Sequence, residues 1–254
     1  MEKIESSQNR QVKEWKKLLT RKGRKKQNKY LIEGLHLVEE AIKADADIET
    51  VMIREDKVEE YSTLSGLEGN NVLSITEEIS TLLSDAVTDQ GIMAVIIKEE
   101  ASVEIVGDKP VLMLDEVQDP GNLGTLIRTA DAAGFEGVII GKGSVDLYNP
   151  KALRSAQGSQ FHLNIIHDDI EKWIDTFNGK DIPVYGTALD ERAVSYRTVE
   201  PRDRFALIVG NEGNGVNPSI LNRTEKNLYI PIKGQAESLN VAIAASVLMF
   251  SLYH

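Results

Sequence analysis

Cysteine is absent from all 254 residues. Its absence excludes disulfides, zinc ribbons, iron–sulfur clusters and thiol nucleophiles, and makes a reducing interior the natural compartment. Also missing is any stretch of about 18 uncharged apolar residues, the length needed to span a bilayer. The first ten residues (MEKIESSQNR) lack the apolar segment of a signal peptide. A cytoplasmic protein with no membrane attachment is expected. Histidines number only four, and His36, His162, His167 and His254 show no metal-ligand spacing. They are read as structural or solvated, so no metal is expected, and no Ser-His-Asp order stands out. What remains is 41% hydrophobic and 27% charged, a composition that folds rather than staying disordered. At this length about 75% of the unfolded chain's surface can be buried, enough for one large domain or two modest ones. Two are expected.

Net charge is −11, which by itself argues against a polyanionic partner. Its distribution reverses that. Residues 1–29 hold eleven Lys/Arg against three Glu, a local balance of +8 that leaves −19 for the rest of the chain. Phosphate contacts depend on local cation density, so a basic arm on an acidic body points to nucleic acid. Lys13, Lys16, Lys17, Arg21, Lys22, Arg24, Lys25 and Lys26 are the candidate RNA contacts. The competing reading is a solvated helical face.

Val12, Trp15, Leu18 and Leu19 recur at helical spacing, with lysines on the other faces. Tyr30–Gly34 reads as a strand, and Leu35 to Ile42 as a second helix. Short apolar runs at 50–53, 72–75 and 92–97 alternate with polar segments, an α/β pattern. The polar stretch 98–109 reads as a linker, and the domain boundary is placed at 105, giving domains 1–105 and 106–254. The second domain opens with the buried-strand pattern Val111–Leu114. Asp119 then suits an N-cap and Pro120 the first helical position, with an apolar stripe that stops at Gly134. Further strand candidates at 138–140, 163–166, 183–185, 205–209 and 228–230 predict a mostly parallel sheet. Ligands bind such sheets beyond the carboxyl ends of the strands. From Leu239 to Tyr253 the only polar residues are Asn240, Ser246 and Ser251. A helix apolar on nearly every face needs burial on nearly every face, and this one is too short to cross a membrane. A second subunit covering it, in a homodimer, is the expected solution.

Three polar or glycine-rich loops flank strand candidates: Asn122 to Thr129, Gly210 to Gly215, and Ile230 to Val241. Each has a plain alternative. Arg128 could pair with Asp131 on an exposed helix face, the glycines could form an ordinary loop before Pro218, and Ser238 or Asn240 could cap the last helix. The Gly210 loop is no dinucleotide fingerprint, because the G-x-G-x-x-G spacing is absent, and no Lys-Ser/Thr pair follows as in a P-loop.

Taken together and in this order, the loops resemble the three motifs of the SpoU (TrmH-like) family of RNA ribose 2′-O-methyltransferases, within the SPOUT superfamily. The first motif is Asn122 with Arg128-Thr129, the second Val209-Gly-Asn-Glu-Gly-Asn-Gly215, the third Ile230-Pro-Ile-x-Gly234 with Ser238-Leu-Asn-Val241. Residues 6–42, with Ser6-x-Gln-Asn9, Val12-Lys13 and Leu31-Ile-Glu-Gly34, are similar to the family's RNA substrate-binding domain, a smaller α/β fold like that of a ribosomal protein. The resemblance implies a parallel sheet with a C-terminal trefoil knot, S-adenosylmethionine as cofactor, catalysis by a homodimer and no metal. It assigns the cofactor to Gly210, Ile230 and Leu239, and the catalytic site to Arg128, Asn122, Glu212, Ser238 and Asn240. The expected activity is methyl transfer to a ribose 2′-hydroxyl, foremost in ribosomal RNA. An arginine stays protonated in proteins, so holding the adjacent phosphate and orienting the hydroxyl suits Arg128 better than acting as a base. A tRNA 2′-O-methyltransferase, a SPOUT base N-methyltransferase and a noncatalytic RNA-binding assembly factor are the alternatives.

Overall fold

A computed structural model describes residues 1–67, 69–98 and 104–253. The chain folds as two compact units, Met1–Ala101 with Asp146–Phe161, and Ser102–Val145 with His162–His254. Residues 99–103 of the expected linker, and His254, lie outside the described residues.

The first unit carries β1 (Glu2–Ile4), α1 (Arg10–Lys17), α2 (Arg21–Gln27), β2 (Lys29–Glu33), α3 (Leu35–Lys43), β3 (Ile48–Arg54), α4 (Val58–Tyr61), β4 (Val72–Ile75), α5 (Glu77–Leu83) and β5 (Ile92–Ile97). Its five strands form a mixed sheet in the order β1-β4-β3-β5-β2. The apolar runs are continuous because both faces of this sheet are buried. Tyr30, Ile32, Val51, Ile53, Ile92, Ala94 and Ile96 face one core with Leu37, Val38 and Ala41 of α3. The residues between them, Leu31, Met52, Met93 and Val95, face a second core with Val12 and Trp15 of α1 and with Leu18, Ile79 and Leu83. Asn9 and Thr20 cap α1 and α2, each accepting a backbone N–H of its helix's first turn.

In the second unit, β6 (Val111–Leu114), α6 (Pro120–Ala132) and β7 (Gly137–Ile140) come first. The chain then enters the first unit, where α7 (Pro150–Ala156) places Leu153 in the α3-side core, with Tyr148 and Phe161 packed against it. A boundary at one point along the sequence does not describe this, because the apolar residues of 146–161 are buried in the first unit's core. The second unit resumes with β8 (Asn164–His167), α8 (Ile170–Asn178), β9 (Val184–Thr187), β10 (Val194–Ser195), β11 (Ala206–Val209), α9 (Pro218–Leu221), β12 (Lys226–Tyr229) and α10 (Val241–Leu252). Its sheet runs β10-β12-β9-β11-β6-β7-β8, and every pairing is parallel. Val111, Met113, Ile139, Val184, Ala206 and Ile208 bury one face with Ile170, Ile174 and Phe177 of α8. On α6, Leu123, Leu126, Ile127 and Ala130 are buried, and α10 packs on α6 and β11.

The chain's own unit does not bury the last helix on every side. Ala242, Ala245, Leu248, Met249 and Leu252 are buried, whereas Ile243 is 53% and Phe250 57% exposed. At a spacing of seven residues these two lie on one side of α10. The chain's own unit therefore covers one side of the helix and leaves an apolar side in solvent.

Candidate functional site

Strands β12, β9, β11 and β6 are consecutive neighbours in a parallel sheet, so their carboxyl ends share one edge, where the three loops gather. Asp119 caps α6, its Oδ1 accepting the Asn122 N–H at 2.9 Å, and Pro120 occupies a first-turn position that has no helical acceptor. Glu212, from the loop after β11, reaches the same helix end. Its carboxylate accepts the Gln118 N–H at 3.1 Å, the Asp119 N–H at 3.0 Å and Asn122 Nδ2 at 3.0 Å. With Nδ2 turned toward the carboxylate, the Asn122 amide directs its oxygen the other way. That Oδ1 accepts Asn240 Nδ2 at 2.9 Å, which leaves Asn240 Oδ1 to cap α10 through the Ala242 and Ile243 N–H groups. One negative charge thus fixes the orientation of two amides and ties three loops together. Partial burial opposes ionisation of Glu212, but the hydrogen bonds from Asn122, Asp119 and Gln118 outweigh it and hold its pKa below the ordinary glutamate value.

Beside this relay lies a cleft of about 180 Å³ that brings together Ile230, Ser238 and Leu239. Leu228 and Leu248 supply apolar wall, and Thr187 and Glu237 are among its polar residues. Gly210 does not line the cleft. It is buried at the end of β11, where a Cβ would lie 2.2 Å from the Gly215 and Val216 backbone, so only glycine lets the loop fold back on its strand. Arg128 lies outside the cleft too, six residues beyond Asn122 on α6 and therefore about 9 Å along the axis. It is exposed and makes no ion pair among the described residues. Asp131, its alternative partner, instead bonds His162 Nδ1 at 2.9 Å. Thr129 faces α10, with Ser246 Oγ 3.5 Å from its hydroxyl.

Motif reading missed the loop after β9. Thr187, Ala188 and Leu189 line the cleft, and Thr187 Oγ1 donates to the Ile208 carbonyl at 3.0 Å. Their only signal is position, a polar turn after a buried strand in a parallel sheet. Ala244 and Leu248 were legible only as apolar helix.

In the first unit, Lys13, Lys16 and Lys17 surround an open depression with Arg10, Gln8 and Thr20, and Lys17 pairs with Glu14 at 2.6 Å. Arg21, Lys22, Lys25 and Lys26 are exposed on α2. Arg24 is a correction. It is 3% exposed, its Nη2 meets Asp146 Oδ2 at 2.7 Å and its Nη1 the Leu18 carbonyl at 2.8 Å. A guanidinium with these partners has a structural role, and a phosphate cannot reach it.

The SpoU rRNA methylase family matches residues 109–250, and the MRM3-like substrate binding domain matches residues 9–94. The chain is 45% identical over 253 residues to the 23S rRNA (guanosine(2553)-2′-O)-methyltransferase RlmP of Bacillus subtilis, covering 99% of each. It is 28% identical to human mitochondrial rRNA methyltransferase 3, covering 89% of this chain and 68% of that one. The AdoMet-bound rRNA methyltransferase of Sinorhizobium meliloti superposes with a TM-score of 0.87 at 29% identity, over 99% of this chain and 97% of that one. Motifs, parallel sheet, hydrogen-bonded loops and full-length similarity agree, and the chain belongs to the SpoU rRNA methylase family.

Proposed function

We propose that the protein transfers a methyl group from S-adenosylmethionine to a ribose 2′-oxygen of ribosomal RNA, and that its substrate is a guanosine of the large-subunit rRNA like that of its Bacillus subtilis relative. The observation that carries this is the Glu212–Asn122–Asn240 relay beside the cleft, because it joins three separate loops at the ligand-binding edge of the sheet. The cleft suits S-adenosylmethionine: apolar Leu228, Ile230, Leu239 and Leu248 can hold an adenine, and Glu237 supplies a negative charge for a cationic ligand. When bound, the cofactor supplies a methyl group already activated on sulfur. The protein's task is then positioning. Arg128, exposed and without an ion pair among the described residues, holds the phosphate next to the target ribose and directs the 2′-oxygen, whose proton leaves to water. Glu212, Asn122 and Asn240 fix the ends of the two helices that frame the site, and Ser238 adds a polar contact at the cleft.

The first unit delivers the RNA through Lys13, Lys16, Lys17, Arg21, Lys22, Lys25 and Lys26, by phosphate contacts that position without reading sequence. The exposed Ile243 and Phe250 side of α10 is the contact between two copies in a homodimer. The C-terminal segment, whose α10 packs on α6 and β11, is read as threaded into the trefoil knot that the family resemblance implies. No helix among the described residues is long and apolar enough to cross a membrane, and action on ribosomal RNA supports a cytoplasmic location.

The test is tritium transfer from labelled S-adenosylmethionine to rRNA from cells lacking the protein, with the modified nucleoside identified by mass spectrometry. A 2′-O-methylguanosine is expected, and a base-methylated nucleoside would refute the reading. Arg128→Ala is expected to retain its fold and to lose about 100-fold in turnover, the scale of a misplaced reacting group. Equal incorporation by both proteins would remove Arg128 from the reaction.

A further inference from the structure

The cleft holds one carboxylate to which the motifs assign no role. Of its lining residues only Glu237 is charged, and the others are apolar or carry a hydroxyl. Glu237 is exposed and enters no ion pair among the described residues. The charges nearest to it in the lining loops are placed otherwise. Asp190, which follows Leu189 of the cleft, accepts the Arg192 N–H at 2.8 Å and lies 4.0 Å from that residue's guanidinium. Lys233 is exposed and does not line the cleft. Asn240 caps α10 through its own side chain, so the helix end does not call for a carboxylate at position 237.

S-adenosylmethionine and its product, S-adenosylhomocysteine, share the same adenosine and the same amino-acid end. They differ by a methyl group and by the positive charge on sulfur. As the methyl carbon bonds to the 2′-oxygen, the C–S bond breaks and its electron pair stays on sulfur, leaving a neutral thioether, while the hydroxyl proton goes to water. The apolar walls treat both ligands alike. A carboxylate in the cleft does not, because only the sulfonium gives it a charge to attract.

We propose that Glu237 biases the cleft toward S-adenosylmethionine over its demethylated product, so that the hold on the ligand weakens once the methyl has left. It is a specificity residue, and the inference rests on the methyltransferase reading. A charge separation of about 7 Å, the width of a round space of the cleft's volume, with solvent screening at an exposed carboxylate, is worth about three- to tenfold in affinity.

The experiment measures dissociation constants by calorimetry for wild type, Glu237→Gln and Glu237→Lys. The ligands are S-adenosylmethionine, S-adenosylhomocysteine and sinefungin, whose ammonium stands in place of the sulfonium. Absence of S-adenosylmethionine binding and of methyl transfer in the wild type refutes the methyltransferase reading, and the role of Glu237 with it. With wild-type binding established, Glu237→Gln is expected to weaken S-adenosylmethionine and sinefungin about three- to tenfold and to leave S-adenosylhomocysteine within about twofold; Glu237→Lys widens the difference. Raising salt from about 0.05 to 0.5 M is expected to shift the ratio of the S-adenosylmethionine and S-adenosylhomocysteine constants in the wild type toward that of Glu237→Gln. An equal loss for all three ligands would assign Glu237 to the shape of its loop, and no loss for any would leave it without a part in binding. Either result overturns the proposal while leaving the methyltransferase reading intact.

Discussion

Glu212 shows how much one side chain can organise. Its carboxylate accepts three donors, and its depressed pKa means that the folded protein binds its proton less readily than the unfolded chain does. The stability it contributes is therefore present above the ordinary glutamate pKa and is lost as pH falls through the lower folded value. Glu212→Gln is expected to lower the thermal midpoint at neutral pH, with the gap to wild type narrowing as acidification carries the pH below the ordinary glutamate pKa. Differential scanning fluorimetry across that range checks it; a gap that stays constant would mean that ionisation of Glu212 contributes nothing. Arg24 poses the opposite case, a basic residue in a basic segment that is spent on structure. Truncating one member of a buried ion pair strands the other, so Arg24→Ala is expected to cost about 3 kcal/mol by urea denaturation. RNA affinity per folded molecule should not change, whereas a specific loss would return Arg24 to the RNA surface.

The helices α1 and α2 carry the basic character while standing on an apolar base. Val12 and Trp15 of α1 are buried, and Lys13, Lys16 and Lys17 are left to solvent, because 3.6 residues per turn separates the two sets. Neutralising Lys13, Lys16, Lys22 and Lys25 to Gln is expected to weaken RNA binding and to reduce the slope of log affinity against log salt by about 3, as four phosphate contacts are lost. An unchanged slope would show the arm to be a solvated face. At the other end of the chain, α10 departs from amphipathic design. Its inner side packs on α6 and β11, and its outer side shows Ile243 and Phe250 to water, a cost that a partner surface removes.

For the whole molecule, that outer side predicts association. Sedimentation equilibrium is expected to give twice the 28.1 kDa chain mass, and Phe250→Asp to give the single mass with helix content retained; a monomeric wild type would reject the dimer. The path of the chain is also discontinuous, since it builds most of the first unit, leaves for the second, and returns to the first for Asp146–Phe161. Strand runs, the cap at Asp119, the basic arm and the three motif loops were legible in the sequence, since each depends on neighbours within a few positions or on periodicity. The parallel sheet followed from the alternation of elements, but its strand order did not. Which apolar run pairs with which is settled by side-chain packing over long separations, as when Leu153 joins a core formed by residues 30–96. The same holds for charge and polarity. Composition gave Arg24 and Lys25 equal standing, and only the placement of Asp146 beside Arg24 made one structural and left the other exposed. The relay from Glu212 through Asn122 to Asn240 spans 118 residues between its amides, and a hydrogen bond requires atoms within about 3 Å, a condition that three-dimensional packing alone can meet.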